Sequence, residues 1–160
     1  MTPTAISARK SFVLFPLGAK RFAVPADNVV ELVGASFLHT FQHSDPRLLG
    51  VLVRRGRVVP VLDVARMLAG ESVAERKFHL ITKLVVGETT GWTALPVQGE
   101  CEIIADLETF PASAEHPAHV ASLLLLVEEV VEVLDLERLA ASLSAVPVDA
   151  EPLREAEVHA

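Results

Sequence analysis

The chain has 160 residues, 51% of them hydrophobic, and a formal net charge of −7. So much apolar composition fills the core of one domain or two small ones and excludes intrinsic disorder through the middle of the chain. The single cysteine, Cys101, excludes an intrachain disulfide; the longest fully apolar run, 123–127, is far below the roughly 20 residues a membrane-spanning helix needs; and the N-terminus lacks the apolar segment of a secretory signal. A reducing cytoplasm fits these features, with Cys101 expected as a small buried apolar residue rather than a reactive thiol.

Residues 1–10 read as a tail. Ser11–Leu17 and Arg21–Pro25 read as a hairpin turning at Gly18-Ala19-Lys20. From Ala26, a polar start, apolar Val29, Leu32 and Val33 at helical spacing and a stop at Gly34 predict a helix of about two turns with Glu31 on its exposed side. Phe37–Phe41 alternates weakly, as a short strand would, and Gln42–Pro46 reads as a loop. The stretch Leu48–Ala69, LLGVLVRRGRVVPVLDVARMLA, then places three of the ten arginines, Arg54, Arg55 and Arg57, beside Gly56 in a turn between two buried strands. Those arginines must point outward. Pro60 lacks a backbone donor and predicts an edge strand or a bond lost to solvent, and Asp63 is placed to cap a helix ending near Gly70.

Glu71–Lys77 is a charged linker. Beyond it Phe78–Val86 and Trp92–Val97 read as strands around a turn at Thr89-Thr90-Gly91, Ala105–Ala118 as irregular, and Val120–Val127 with Val130–Leu134 as a second core hairpin. A closing helix follows, with Leu136, Leu139, Ala140 and Leu143 as its buried stripe, and then an acidic tail, 145–160, expected to be disordered.

The second part of the chain copies the first. VVPVLDVARMLA, 58–69, and VVEVLDLERLAA, 130–141, share seven of twelve residues at an offset of 72, capping Asp63 and Asp135 included. At an offset of 71, AVPADNVVELV, 23–33, falls on ALPVQGECEII, 94–104. A repeat this long indicates two similar small subdomains, 11–70 and 78–144, rather than a stacked array. Short strands dominate both, so the expected fold is mainly β: two small five-stranded β-barrel subdomains with short capping helices.

Charge divides between the copies. Residues 1–80 carry 11 basic and 6 acidic side chains, and residues 81–160 carry 3 and 15. Where the first copy has RRGR at its turn, the second has Leu126-Val127-Glu128-Glu129, so equivalent turns are oppositely charged, which favours contact between like-shaped modules. A basic turn in an acidic chain marks a binding surface, set against the plainer reading of a solvated turn that protects a strand edge. Nucleic acid is a poor match, since the protein is acidic, has no tyrosine and places no aromatic residue among the arginines. His39 with His43, and His116 with His119, have spacings that metal ligands use on helices, but lie in strand or loop segments without supporting cysteines, so no metal or other cofactor is expected. No catalytic fingerprint occurs, and no enzyme is expected.

FVLFPLG, FAVPADNVVELV and LLGVLVRRGRVVPVLDVARML, in this order and spacing, resemble the CheW-like domains of bacterial chemotaxis systems, over about Ser11–Ser144. The resemblance implies two intertwined five-stranded β-barrels acting as a non-catalytic cytoplasmic adaptor. Its implied partners are the regulatory domain of a CheA-type histidine kinase and the cytoplasmic tip of methyl-accepting chemoreceptors, whose arrays would recruit it to the membrane without direct insertion. The family's arginine-glycine turn falls on Arg55 and Gly56, which implies receptor contact there, with Arg54 and Arg57 alongside. Its receptor-facing groove falls on Val29, Glu31 and Leu32, residues whose spacing also suits a core stripe and a solvated face. Its kinase-contact strand positions include Leu38 and Gly50. Relatives typically carry Asn-Leu before the Arg-Gly, where this chain has Val53 and Arg54. A different class of function, a sensor binding a small ligand between the barrels, would require an enclosed apolar pocket.

Overall fold

The computed structural model describes residues 10–35, 38–40, 46–70, 76–86 and 89–141. The expected tails apart from Lys10, most of the loop before Pro46, most of the charged linker and Leu143 lie outside them. Among the described residues eleven strands run in chain order as β1 Lys10–Leu17, β2 Lys20–Pro25, β3 Val29–Gly34, β4 Leu48–Arg54, β5 Arg57–Leu62, β6 Phe78–Val86, β7 Thr89–Val97, β8 Glu102–Leu107, β9 Thr109–Pro111, β10 Val120–Leu125 and β11 Val130–Leu134. Two short helices, α1 Val64–Ala69 and α2 Leu136–Ala141, follow β5 and β11. The expected mainly-β fold with small helices at strand ends is what forms.

One sheet has the order β8-β1-β2-β11-β10-β9 and the other β3-β6-β7-β5-β4, extended beyond β4 by a bridge between His39 and Val51. Under the 72-residue offset the two orders are the same, and the His39–Val51 bridge becomes the pairing of β9 with β10, where Leu123 faces Phe110. Each sheet is built from both copies. The first hairpin of one copy, β1-β2, lies beside β11 of the other, in parallel, and β7 lies parallel to β5. That exchange interlocks the halves.

The pleat explains why the strands are apolar throughout. On β1, Phe12 and Leu14 enter the core of the six-stranded sheet with Leu124, Val131 and Val133, while Val13, Phe15 and Leu17 face a central core shared by both sheets. On β6, Leu80 and Leu84 join that central core, and Ile81 joins the core of the five-stranded sheet with Leu52, Val59, Val61 and Ala94. A strand buried on both faces has no polar face to alternate.

Four local expectations change. Residues 26–34 form a 3-10 turn, Ala26–Asn28, and then strand β3, not a two-turn helix. Val29, Val30 and Val33 are β-branched, nine residues are few for a helix, and β6 offers a complete ladder to pair with. Thr89-Thr90-Gly91 lies inside β7, with Gly91 opposite Leu84, leaving only 87–88 between the strands. The segment expected to be irregular contains the end of β8 and all of β9, because β1 and β10 supply ladders that its own pattern does not announce. Pro60 occupies an inner strand rather than an edge. Its partner Val51 spends its own backbone groups on His39, so Pro60 faces β7, where the pairing shrinks to one position, Val61 with Ala94.

Both predicted caps form, and they repeat. The Asp63 carboxylate accepts from Arg66 N at 3.2 Å, and Asp135 accepts from Arg138 N at 3.1 Å. Their own N–H groups donate to the carbonyls of Arg47 and His119, both at 2.7 Å. Gly70 ends α1 with φ of 87°, a left-handed cap. Among the described residues, no helix is long and apolar enough to cross a membrane.

Candidate functional site

The turn between β4 and β5 is a two-residue loop, Arg55-Gly56, flanked by the pair Arg54 and Arg57. Both loop residues have positive φ, 54° and 73°, as a type I′ turn requires. Glycine tolerates that conformation, but Arg55 does not do so freely. It is the one non-glycine residue with positive φ among those described, and backbone strain of this kind concentrates at functional positions.

Glu31 meets this turn. Arg54 Nε donates to Glu31 Oε2 at 2.7 Å and Arg54 Nη2 to Oε1 at 3.0 Å, a bidentate pair, while Arg55 Nη2 donates to the same Oε1 at 3.4 Å. The Arg54 bond is the main cause holding the Glu31 carboxyl below its usual range, and it raises the Arg54 guanidinium. Arg57 instead lies over Trp92 of β7, its guanidinium carbon 4.3 Å from the ring centre. Arg55 remains the most open of the residues gathered on Glu31, with 61% of its side chain exposed against 17% for Glu31.

The other candidates separate. Leu32 on β3 and Val53 on β4 are also exposed, but each lies on the sheet face opposite its charged neighbour: Leu32 pairs with Leu80 of the central core whereas Glu31 pairs with Ile81, and Val53 pairs with Val58 whereas Arg54 pairs with Arg57. Val29 packs against the central core, which its spacing suggested, although on a strand and not a helix. Leu38 packs into the core of the five-stranded sheet. A Cβ on Gly50 would stand 2.8 Å from the carbonyl oxygen of His39 and 3.6 Å from Leu38 Cβ, so Leu38 and Gly50 are neighbours that face inward.

The six-stranded sheet carries a counterpart whose arginine sequence reasoning missed. Arg21 of β2 donates to Glu102 of β8 at 2.9 Å and to Glu129, after β10, at 2.7 Å. Arg21 aligns with Trp92, and Glu129 with Arg57, so a cation–π contact in one half is an ion pair in the other. The bond to Arg21 holds the Glu129 carboxyl low. The oppositely charged turns are therefore engaged within the molecule. Around the second turn Ile103, Leu125, Val127 and Val130 are exposed, Val127 almost completely. The repeat alignment was the available signal, since each of these residues falls on or beside a candidate of the first half.

A cleft of about 280 Å³ lies where the halves meet, lined by Arg47, Met67, Ala118, His119, Arg138 and Leu139. Arg47 pairs with His119 and Met67 with Leu139 at the repeat offset. This cleft is cationic and open, unlike the enclosed apolar pocket that a small-ligand sensor calls for. Cys101 is half-buried, and desolvation pushes its thiol up to about 11.

Comparison with known proteins agrees with the architecture. The chain is similar to Protein FrzA of Myxococcus xanthus, 35% identical over 85 residues, which are 53% of this chain and 51% of that protein; it thus spans about half the length of the curated relative it matches. The fold is similar to the crystal structure of the scaffolding protein TtCheW from Thermoanaerobacter tengcongensis, with a TM-score of 0.70, 18% identity, and coverage of 82% of this chain and 87% of that one. The CheW-like domain model matches residues 11–144, and by that match the chain belongs to the CheW-like domain family.

Proposed function

We propose that this protein is a non-catalytic adaptor of a chemotaxis-like two-component pathway, coupling a CheA-type histidine kinase to the cytoplasmic tip of chemoreceptors. The observation that carries the reading is the β4–β5 turn, where a family member presents Arg55, 61% of its side chain exposed, in a fixed backbone conformation. Such a surface acts by contact: a guanidinium with donors to spare seeks a carboxylate or carbonyl. The receptor tip is assigned to this turn, with Arg54 and Arg57 shaping it from either side.

The regulatory domain of the kinase is assigned to the five-stranded half, where Leu38 and Gly50 act through the packing of β4. The protein works in the cytoplasm and reaches receptor arrays through these partners. A pull-down with the kinase regulatory domain and a receptor-tip fragment tests the assignment. Wild-type protein should retain both, whereas Arg55→Glu should lose about tenfold or more in receptor affinity with its melting temperature unchanged. Retention of neither partner by the wild-type chain would end the coupling reading.

A further inference from the structure

The cleft where the two copies meet lies at the far end of β4 from the arginine turn. β4 leaves it at Leu48, paired with Leu62, and reaches the turn at Arg54, about 20 Å away at roughly 3.3 Å per residue. β10 leaves it in the same way at Val120, paired with Leu134. The walls are built twice. Asp63 N–H donates to the Arg47 carbonyl and Asp135 N–H to the His119 carbonyl, both at 2.7 Å, while the N–H groups of Met67 and Leu139 donate to the carbonyls of Asp63 and Asp135, both at 3.0 Å. Each copy thus clamps the residue before its strand to the first turn of its helix, and the cleft gathers Arg47 and Met67 from one copy with His119 and Leu139 from the other.

The lining combines cationic and apolar groups. Arg138 is one of only three basic side chains in residues 81–160. It is 66% exposed, and its Nε stands 3.6 Å from Asp135 Oδ2, too far for a hydrogen bond, so among the described residues its guanidinium donors are unspent. Arg47, half-buried, adds a second guanidinium from the first copy, with five donors to divide among its contacts. Burial lowers the proton affinity of His119 against the pull of Glu132, so near pH 7 its ring is a neutral hydrogen-bonding group. Met67 and Leu139 supply an apolar surface between these heads, and the methionine can adjust to the shape of what lies on it.

We infer that the cleft is a binding site for a small organic anion, a carboxylate or phosphate on a short apolar body: the guanidiniums of Arg138 and Arg47 and the imidazole of His119 take the head, and Met67 and Leu139 take the body. Its volume of about 280 Å³ stands at the lower end of small-molecule sites, roughly 300–1,000 Å³, and suits one small molecule better than a peptide. Because the ligand touches both copies, it stabilises the folded chain. Because the arginine turn is at the other end of β4, it binds without a protein partner and does not compete with one at Arg55.

Titration calorimetry and thermal melting of the full-length protein with phenyl phosphate test the site. Saturable one-to-one binding and a rise in melting temperature are expected. Inorganic phosphate, which lacks the body, and phenol, which lacks the charged head, should each bind about tenfold more weakly or worse. Arg138→Gln should weaken phenyl phosphate binding about tenfold and leave the melting temperature of the free protein unchanged, because the helix cap uses the Asp135 carboxylate and the backbone N–H of residue 138. Arg66→Gln removes the same charge from the repeat counterpart of Arg138, which does not line the cleft, and should keep affinity within about twofold of wild type. No saturable binding up to about 10 mM phenyl phosphate overturns the site. Phenol binding as tightly as phenyl phosphate overturns the anionic ligand class. Equal losses in Arg138→Gln and Arg66→Gln show general attraction to a cationic surface and overturn the assignment to this cleft.

Discussion

His79 of β6 is buried to 2% exposure, and neither ring nitrogen has a hydrogen-bond partner among the described residues. It stands between Val33 of β3 and Pro96 of β7, on the same face as Ile81. A buried polar group without a partner costs about 1–3 kcal/mol, and a charged imidazole there would cost more. Burial first, and the charge of Arg76 second, push its proton affinity below the ordinary 6.5. The sign follows from linkage. The unfolded imidazole takes up a proton near pH 6.5 that the folded one refuses, so this contribution is whole above that pH and is lost progressively as pH falls below it. His79→Leu should therefore raise the urea midpoint at pH 8 and flatten its decline between pH 7.5 and 5. A variant whose midpoint declines as steeply as wild type would show that other groups carry the acid sensitivity.

Strand β4 shows the packing through which Gly50 is proposed to act. The register shifts between Leu48 and Gly50 on β4, and again between Val120 and Ser122 on β10, so both copies carry an irregularity at the same place. Gly50 has φ of 151°, and its missing Cβ makes room for the His39 carbonyl at 2.8 Å. Gly50→Ala should cost about 1–3 kcal/mol in chemical denaturation and break the bridge between His39 and Val51. Partner affinity should fall only as far as the fold does. Equal stability with lost kinase binding would instead make the position a direct contact. The same element marks what sequence reading could reach. The β4–β5 hairpin, its turn and the cap at Asp63 were legible because each rests on local chemistry: apolar runs, an Arg-Gly pair, an Asp three residues before an amide. β3 was misread because Val29, Leu32 and Val33 fit either period over so short a span, and a ladder with β6, about fifty residues away, decided between them. Glu31 was singled out, yet its engagement with Arg54 depends on two sheet edges meeting, which no local pattern encodes. Trp92 and Arg21, the partners of Arg57 and Glu129, escaped for the same reason.

The exchange of hairpins governs the molecule as a whole. Cutting within 71–75 separates the sequence repeats, but not two folding units. Without the second copy, β1-β2 lose β8 and β11, β3 loses β6, and β5 loses β7. What remains are isolated hairpins, which are marginal in water. The central core would also lose Leu80, Leu84, Leu95, Val97, Leu134, Leu136 and Leu139. A fragment of residues 1–72 is therefore expected to show no cooperative melting alone, and mixing it with 76–160 should restore both the transition and binding at the β4–β5 turn. The parallel pairing of Phe22 with Glu132 and Ala23 with Val133 closes a long loop, so folding of the intact chain should fall in the millisecond-to-second range of non-local β topologies. Cooperative melting of the monomeric 1–72 fragment would show that the halves fold independently. The observed order argues otherwise: each sheet has its middle strands from one copy beside a hairpin from the other, so neither can complete its core before both are present.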